Sequence, residues 1–415
     1  MARPQVVIVG AGFGGLAVAR GLARAPVDVT LIDRQNHHLF QPLLYQVATA
    51  GLSPADIAWP VRHLVRHQAN TRVLMGEVTA VDAARKVVML GDGPVAWDWL
   101  VLATGASHGY FGHDEWAPHA PGLKDLDDAT AIRRRLLLAF ERAEMASSPE
   151  LARRLLTIAI VGGGPTGVEL AGAIAELAKR ALAADFRAID PTQARVLLIE
   201  AGRRLLPNFP ESLSRYTAAV LTRLGVEVRL GAAVTACDGL GVQIGAERIP
   251  AATILWAAGV TASPAAAWLG LAGDRAGRLP VEPDLTAPGH DHIYAIGDTA
   301  LARDAQGAAL PGIAPVAKQQ GAHVARSIIA RIHGRAAAPF AYGDRGLLAT
   351  IGRKSAVITY RRLRLRGWPA WWLWGAAHIY FLVSLRNRLI VVTQWLWSYF
   401  AFERGARLIT GLKPR

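Results

Sequence analysis

Cysteine is almost absent from this 415-residue sequence, which contains only Cys237. A single cysteine excludes an intrachain disulfide, a cysteine-based metal cluster and the redox-active cysteine pair of disulfide reductases. Sulfide-oxidising enzymes that use several cysteines are excluded for the same reason. We therefore expect Cys237 to be a packed core residue, and we expect no metal site.

We also expect no leader sequence, because the first apolar run begins within five residues of Met1. A signal or transit peptide needs a longer charged and apolar segment before the first strand. Together with the low cysteine content, this predicts a protein of the cytosol or of the cytosolic membrane face.

Acidic residues are scarce towards the C-terminus. The chain carries a net charge of +14, and residues 353–415 contain twelve Lys and Arg residues against one acid, Glu403. Because cations attract anionic headgroups and tryptophan rings favour the polar–apolar boundary, the segment predicts a surface for anionic lipids. A nucleic-acid surface is disfavoured, since such surfaces lack long apolar runs. The segment holds six of the twelve tryptophans: Trp368, Trp371, Trp372, Trp374, Trp395 and Trp397.

Two apolar runs lie within this basic tail, at residues 367–385 and 389–402, and Arg386-Asn387-Arg388 separates them. A spanning helix needs about 20 apolar residues, which the first run barely reaches. Three interpretations follow: a transmembrane helix, a helical hairpin lying in one leaflet, or a buried dimer interface. The central cations favour the hairpin.

A strand hairpin is predicted just upstream, in TIGRKSAVITYRRLRLRG. Side chains alternate between the two faces of a strand. An unbroken alternation would place one set of residues on one face: Ile358, Tyr360, Arg362, Arg364 and Arg366.

Two glycine-rich fingerprints, 152 residues apart, carry the strongest signal in the chain. VVIVGAGFGG and IAIVGGGPTG each run from an apolar β-branched strand into a G-x-G-x-x-G turn. Glycine allows the tight turn, the approach of a pyrophosphate and close helix packing, and the helix N-terminus offers N–H groups to phosphate. Two fingerprints predict two dinucleotides, with electrons passing between them.

An acidic residue ends a later strand after each fingerprint. Asp33 lies 18 residues beyond Gly15, and Glu200 lies 33 residues beyond Gly167. A carboxylate at this place binds a ribose 2′-OH, so Glu200 favours NADH over NADPH. Arg203 and Arg204 follow closely and could accept a 2′-phosphate, which leaves the preference open.

Three further strand ends complete a pattern of five motifs. They lie in Trp99–Ser107, Thr253–Thr261 and His292–Ala300, the last with Gly297-Asp298. Over about residues 4–335 the chain resembles flavoproteins with two dinucleotide-binding domains. The resemblance implies FAD on the first fingerprint, NAD(P)H on the second, and Asp298 at the flavin ribityl chain.

Three segments narrow the resemblance. They are QPLLYQVA at residues 41–48, GGGPTGVELAG at residues 162–172, and the Trp-rich tail. With these the whole chain resembles the type II NADH dehydrogenases, which are non-pumping NADH:quinone oxidoreductases held on the membrane by C-terminal helices. The resemblance implies a peripheral, monotopic protein on the cytoplasmic face of the cell inner membrane, and the tail is also a candidate homodimer interface.

The resemblance also assigns residues. Glu169 matches a family glutamate near the flavin and nicotinamide, and a partly buried carboxyl there can move protons. The helix beginning near Leu310 is expected to direct its N-terminus at the flavin pyrimidine ring. The cofactor-binding residues implied are Gly10, Gly12, Phe13, Gly14, Gly15, Asp33, Arg34, Val78, Thr104, Gly105, Asp298, Ala317, Gly162, Gly164, Thr166, Gly167, Glu200 and Gly259.

The quinone site is implied less completely. Family members often carry two glutamines in the segment that here reads APVAKQQ, but Pro315 stands at the first place and Gln319 at the second. Gln319, with Lys318 or Gln320, could act without the partner glutamine. Gln46 and His378 complete the implied set, with His378 supplying a proton or a hydrogen bond. The residues do not distinguish ubiquinone from menaquinone.

The predicted fold is α/β, with two Rossmann-like domains, the second inserted in the first, and a C-terminal membrane-binding helical segment. The expected domains are 1–125 with 270–345 for FAD, 126–269 for NADH, and 346–415 for the membrane. We expect hydride to pass from NADH to FAD and two electrons to pass to a membrane quinone, without proton pumping. Two alternatives are a soluble NAD(P)H-dependent reductase serving a ferredoxin-like protein, and a non-catalytic FAD/NADH sensor.

Overall fold

The computed structural model describes residues 3–382, 384–401 and 405–411. Residues 383, 402–404 and 412–415 of the predicted membrane-binding region, Glu403 among them, lie outside the described part. The described chain divides into two compact units. The first comprises residues 3–39, Ala58–Ser107 and Val260–Arg345, and the second comprises Phe40–Ile57, His108–Gly259 and the described residues from Gly346 onward.

The strands are β1 (Gln5–Val9), β2 (Asp28–Asp33), β3 (His37–Leu39), β4 (Ala58–Pro60), β5 (Thr71–Met75), β6 (Val78–Asp82), β7 (Val87–Leu90), β8 (Gly93–Ala96), β9 (Trp99–Leu102), β10 (Ala106–His108), β11 (Thr157–Val161), β12 (Arg195–Glu200), β13 (Val226–Leu230), β14 (Val234–Asp238), β15 (Gly241–Ile244), β16 (Glu247–Pro250), β17 (Thr253–Trp256), β18 (Val260–Ala262), β19 (Leu279–Pro280), β20 (Thr286–Ala287), β21 (His290–Ala295), β22 (Ala300–Leu301), β23 (Leu347–Gly352), β24 (Ser355–Tyr360) and β25 (Leu363–Arg366). The α-helices are α1 (Phe13–Gly21), α2 (Leu44–Ala48), α3 (Pro54–Ile57), α4 (Val61–Leu64), α5 (Leu126–Glu144), α6 (Pro149–Leu155), α7 (Pro165–Glu176), α8 (Glu211–Arg223), α9 (Ala265–Trp268), α10 (Ala314–Ile332), α11 (Gly367–Phe381) and α12 (Leu385–Ala401).

The first unit is built on a six-stranded sheet in the order β20-β21-β9-β1-β2-β5. Its central strands pair in parallel, and residues Val6–Val9 are buried. A parallel strand covered on both faces has no solvent side, which explains why this run is apolar throughout rather than alternating. The Rossmann arrangement places the first fingerprint at the carboxyl end of β1.

The second unit repeats this plan around a parallel sheet in the order β13-β12-β11-β17. Residues Thr157–Val161 of β11 are all buried, and the second fingerprint follows directly. The preceding helix α5 begins at a capping box, in which the carboxylate of Asp125 accepts the Asp128 N–H and the carboxylate of Asp128 accepts the Asp125 N–H. The two repeated sheets confirm the predicted α/β class with two Rossmann-like parts, while the domain boundaries stay a prediction.

The strands of the tail differ from the predicted pattern. Arg361 adopts a left-handed φ of 52°, and the chain reverses between β24 and β25. In the resulting register Ile358 pairs with Leu365, and Arg364 pairs with Thr359. The prediction that Ile358, Tyr360, Arg362, Arg364 and Arg366 share one face is therefore wrong, because the turn interrupts the alternation.

The two apolar runs form separate helices, α11 and α12, which meet near the Arg-Asn-Arg sequence. Asn387 is buried there, and Arg388 donates from its guanidinium to the carbonyls of Leu382 and Tyr380. Among the described helices, none is both long and apolar enough to cross a membrane.

Candidate cofactor and quinone sites

The first fingerprint forms a turn that has room only for glycine at two of its positions, Gly10 and Gly15. A Cβ on Gly10, where φ is 104°, would lie 2.2 Å from the Ala103 carbonyl oxygen, and a Cβ on Gly15 would lie 1.8 Å from the Gly10 oxygen. A Cβ on Gly12, by contrast, would meet no protein atom within 4 Å. Open space at Gly12, at the N-terminus of α1, fits the approach of a phosphate.

Asp33 organises the same turn from the end of β2. Its carboxylate accepts the Ala11 N–H at 2.6 Å with one oxygen and the Gln35 N–H at 2.8 Å with the other. Each carboxylate oxygen keeps a lone pair, so the group can still bind a ribose hydroxyl. The residues of this turn therefore fit a dinucleotide.

A group of hydroxyls supports the other predicted FAD residues of the first unit. The Thr104 hydroxyl contacts those of Ser263 and Thr299, and Thr299 also accepts the Gly105 N–H at 2.8 Å. The buried Gln320 accepts the Gly297 N–H at 2.7 Å, next to Asp298. Gln320 is thus hydrogen-bonded to the backbone beside Asp298, and the suggestion that it serves a quinone is not supported.

The second fingerprint has the same construction. A Cβ on Gly167 would lie 1.8 Å from the Gly162 oxygen, whereas Gly164 faces open space. The Glu200 carboxylate accepts the N–H groups of Gly163 and Gly202, both at 2.6 Å. Glu200 therefore occupies the place in the second unit that Asp33 occupies in the first.

The basic residues beside Glu200 differ in their engagement. Arg204 donates to the Pro207 carbonyl oxygen at 2.6 Å, and Arg203 is exposed. A carboxylate held at the strand end suits a free ribose 2′-OH and repels a 2′-phosphate. This geometry favours NADH.

The remaining predicted cofactor residues differ in their contacts and burial. Phe13 at the start of α1 packs edge-to-face on His38 at 5.1 Å, and Lys318 Nζ lies 5.1 Å from the Phe13 ring centroid. Burial, and then the charge of Arg20, lowers the pKa of Lys318. The others are half-buried or buried except for the exposed Arg34: Gly14, Val78 and Ala317 in the first unit, and Thr166 and Gly259 in the second.

Glu169 lies on the second turn of α7, beyond the phosphate-binding turn. Burial raises the pKa of Glu169 to about 8, and the Thr350 N–H, 3.4 Å from the carboxylate, opposes this only weakly. The carboxyl faces a cavity, which gives the residue intermediate surface exposure. Glu169 is therefore a neutral acid at neutral pH, able to donate a proton.

That cavity has a volume of about 140 Å³ and belongs entirely to the second unit. One wall is aromatic and another is polar, with two carboxyl groups and two guanidinium groups. Its lining residues are Tyr45, Gln46, Thr49, Gly51, Glu169, Ala173, Glu176, Arg180, Ala181, Thr350, Gly352, Arg353, Trp371, Trp374 and Trp395.

Gln46 is held in place at the aromatic wall. Its Oε1 accepts from Trp395 Nε1 at 2.8 Å, and its Nε2 donates to the Tyr45 hydroxyl at 2.9 Å. Trp374 and Trp395 stack at 5.2 Å behind it. A flat ring with carbonyl oxygens fits such a site, because aromatic faces favour stacking and the amide supplies hydrogen bonds.

His378 lies against the same aromatic group but not in the cavity lining. Its Nδ1 donates to the Trp374 carbonyl at 2.7 Å, and Phe40 meets its ring at 6.1 Å. Burial lowers the pKa of His378 to about 4, despite the hydrogen bond to Trp374. The two roles predicted for His378 are to supply a proton and to supply a hydrogen bond. A neutral ring suits the hydrogen bond, through Nε2.

Gln319 lies in the first unit, on α10. Its amide is engaged twice with Gly343, accepting the Gly343 N–H and donating to the Gly343 carbonyl, both at 2.9 Å. Gln46, Glu169 and His378 lie in the second unit. The predicted quinone residues are therefore divided between the units.

Sequence reasoning did not identify three charged residues of the cavity, Glu176, Arg180 and Arg353. Glu176 and Arg180 follow Glu169 at intervals of seven and eleven along one helix face, and a search for that spacing could have found them. Arg353 carries no such signal, because a distant strand, β23, and the turn after it bring it to the helix.

Residues 4–321 match the family described as pyridine nucleotide-disulphide oxidoreductases. The chain is 43% identical to the type II NADH:quinone oxidoreductase Ndh of Mycobacterium tuberculosis, over 98% of this chain and 90% of that one. It belongs to the type II NADH:quinone oxidoreductase family. A staphylococcal member, from Staphylococcus haemolyticus, is 31% identical over 87% of this chain and 90% of its own. The structure of NDH2 from Plasmodium falciparum in complex with RYL-552 has the same fold, with a TM-score of 0.90 at 20% identity, over 99% of this chain and 100% of that one.

Family membership confirms the predicted class of enzyme, a flavin-dependent NADH:quinone oxidoreductase with FAD and NADH as cofactors. The family description includes disulphide chemistry, but Cys237, the one cysteine, is buried in the second unit. Burial raises the pKa of the Cys237 thiol to about 11, as expected for a packed core residue. The individual site residues stay predictions.

Proposed function

We propose that this protein oxidises NADH and reduces a membrane quinone, with the quinone ring bound in the tryptophan-lined cavity of the second unit. The supporting observation is the combination of Gln46, held by Trp395 and Tyr45, with the neutral acid Glu169 in one cavity. A quinone carbonyl needs a hydrogen bond and, once reduced, a proton. These two side chains supply both.

The fingerprint turns hold the cofactors in this proposal. When bound, FAD supplies the redox chemistry, accepting a hydride from NADH and passing two electrons to the quinone. The turn at Gly12 binds the FAD pyrophosphate, and Asp33 binds its adenosine ribose. The turn at Gly164 and the Glu200 carboxylate bind NADH in the same manner.

A turnover assay tests this function. The full-length, flavin-loaded chain is expected to oxidise NADH rapidly when a short-chain quinone is present, and slowly when it is absent. Rapid flavin reduction without quinone turnover would contradict the proposal and favour the reductase for a ferredoxin-like protein. Slow flavin reduction with a long-lived reduced state would favour the sensor. NADPH in place of NADH provides the matched substrate control.

We also propose that α11 and α12 hold the enzyme on the cytoplasmic face of the cell inner membrane. Large apolar side chains on both helices are exposed, several by half or more of their surface, and the arginines of β25 and of the turn before it lie just upstream. The aromatic side chains and arginines together suit an anionic lipid surface. The exposed apolar residues are Trp368, Trp372, Leu373, Tyr380, Phe381, Leu385, Leu389, Leu396 and Trp397.

Removing part of this surface is expected to release the protein from anionic vesicles. Replacing Arg361, Arg362 and Arg364 with serine removes three charges worth about 1 kcal/mol each near a membrane, or about 100-fold in affinity together. Sedimentation with phosphatidylglycerol vesicles measures the loss. Leu240→Ser serves as the control for replacing the exposed tryptophans, because it alters a similarly exposed apolar residue of the same unit. Unchanged vesicle binding with a halved molecular mass after Trp372→Ser and Trp397→Ser would instead favour a homodimer interface.

A further inference from the structure

Quinone reduction needs a proton that NADH does not bring. NADH gives up a hydride, which is two electrons and one proton, and the quinone takes two electrons and two protons. Each turnover therefore draws one proton from water. This deduction rests on the proposed function, and it requires a path from solvent to the cavity in which Glu169 lies.

The polar wall of the cavity offers one path along α7. Glu169, Ala173, Glu176 and Arg180 recur at helical spacing and all line the cavity. Seven residues of helix separate the two carboxyl groups by about 10.5 Å along the axis. A cavity of about 140 Å³ has room for the several water molecules that could bridge this distance.

The two ends of the wall differ in exposure. Glu169 is the acid whose pKa burial raises, and Arg180 at the opposite end is exposed. A π-turn at Leu177–Ala181 follows α7 and carries Arg180. The titratable or charged groups lining the cavity between these ends are Tyr45, Glu176 and Arg353.

Strand β23 and the turn after it hold both carboxyl groups. The Thr350 N–H meets Glu169 at 3.4 Å, and the Arg353 N–H meets Glu176 at 2.5 Å. This register depends on Gly172, where a Cβ would lie 1.7 Å from the Ile351 carbonyl oxygen. The strand can lie directly on the helix only because that position is glycine.

We propose that Glu176 relays the solvent proton to Glu169, which passes it to the bound quinone. The Glu176 carboxylate takes a proton from water at the open end and releases it through cavity water to Glu169. Glu169 has just lost its own proton to a quinone oxygen. Glu176 acts through Glu169, which is the residue that gives its proton to the quinone.

Glu176→Gln tests the relay, because glutamine can still accept the Arg353 N–H but cannot carry a proton. Quinone turnover at saturating substrate is expected to fall about tenfold, with a larger solvent deuterium isotope effect and little change in KM. Ferricyanide accepts electrons without protons, so its reduction measures the steps that do not involve protonation of the quinone. The rate of ferricyanide reduction should fall far less than the rate of quinone reduction. Glu211→Gln makes the same change at an exposed carboxylate of α8 and should alter neither rate.

Chemical rescue separates proton transfer from a folding defect. Millimolar acetate should restore part of the quinone turnover of Glu176→Ala, and should leave Glu211→Ala unaffected. Wild-type quinone turnover and isotope effect in Glu176→Gln, or no rescue of Glu176→Ala, would overturn the relay. A wild-type enzyme that reduces ferricyanide but no quinone would instead contradict the proposed function.

Discussion

Replacing Glu169 with glutamine is expected to lower NADH:quinone turnover about 100-fold, within the range that a positioned general acid contributes. Glutamine preserves the size of the side chain and its acceptor for the Thr350 N–H, so the change removes mainly the transferable proton. Ferricyanide reduction should fall much less, because that acceptor takes no proton. Steady-state rates with both acceptors, measured on the flavin-loaded variant, provide the comparison.

The pH dependence follows from the direction of the pKa shift. Since burial raises the pKa of Glu169 to about 8, the carboxyl holds its proton at neutral pH and loses it as the pH rises through that value. Quinone turnover of the wild type should therefore decline above about pH 8, and the residual turnover of Glu169→Gln should not follow that decline. An unchanged pH profile in the variant would contradict the assignment of Glu169 as the proton donor.

The folding stability of the chain should also depend on the protonation of Glu169. A carboxyl binds its proton more tightly in the folded chain than in the unfolded chain when its folded pKa is raised, so folding is less favourable as the pH rises from about 4.5 to about 8. Glu169→Gln removes this dependence. The variant should gain thermal stability relative to the wild type at pH 9 and gain little at pH 4.

Replacing fingerprint glycines should produce the second large effect, a loss of dinucleotide affinity. The glycines that face open space should respond differently from those that face a carbonyl oxygen. Gly12→Ala and Gly164→Ala add a methyl group where no protein atom lies within 4 Å, so both variants should fold. The methyl group instead displaces a dinucleotide phosphate. Losing one or two hydrogen bonds to a charged group, at roughly 1.5–3 kcal/mol each, corresponds to about 100-fold in affinity.

The two variants report different cofactors. Gly12→Ala should be purified without flavin, as judged from the visible absorbance, while Gly164→Ala should retain flavin and show a raised KM for NADH. Gly15→Ala and Gly167→Ala serve as contrasts, because their Cβ atoms would lie 1.8 Å from a carbonyl oxygen and should disturb the turn itself. Flavin loss from Gly164→Ala with retention in Gly12→Ala would reverse the assignment of the two sites.

Much of the fold could be predicted from local patterns. Apolar runs such as Val6–Val9 and Ile158–Val161 indicate strands buried on both faces, and each leads into a glycine turn whose geometry few other sequences can adopt. The acidic strand ends at Asp33 and Glu200 also follow from spacing alone. In the structure each accepts two backbone N–H groups around its turn.

The arrangement of the tail could not be predicted in the same way. A strand pattern continues through Arg361 and Arg362 in the sequence, but a single left-handed residue turns the chain there and reverses which side chains share a face. Gln319 presents the same difficulty, because its bonds to Gly343 depend on a loop 24 residues away. Neither residue carries a local signal of its partner.

By itself the sequence determined the two dinucleotide turns and the basic, tryptophan-rich tail, because these depend on residue types at short spacing, and its resemblance to a known family implied the class of enzyme. The tertiary structure alone decided which groups share the cavity of the second unit. Glu169 and Glu176 lie on one helix, but Thr350 of β23 is 181 residues from Glu169 and Arg353 of the following turn is 177 residues from Glu176, and the tryptophans of α11 and α12 lie still farther along the chain. The contact of β23 with the helix depends on the packing of Gly172 against Ile351, which no periodicity in the sequence records.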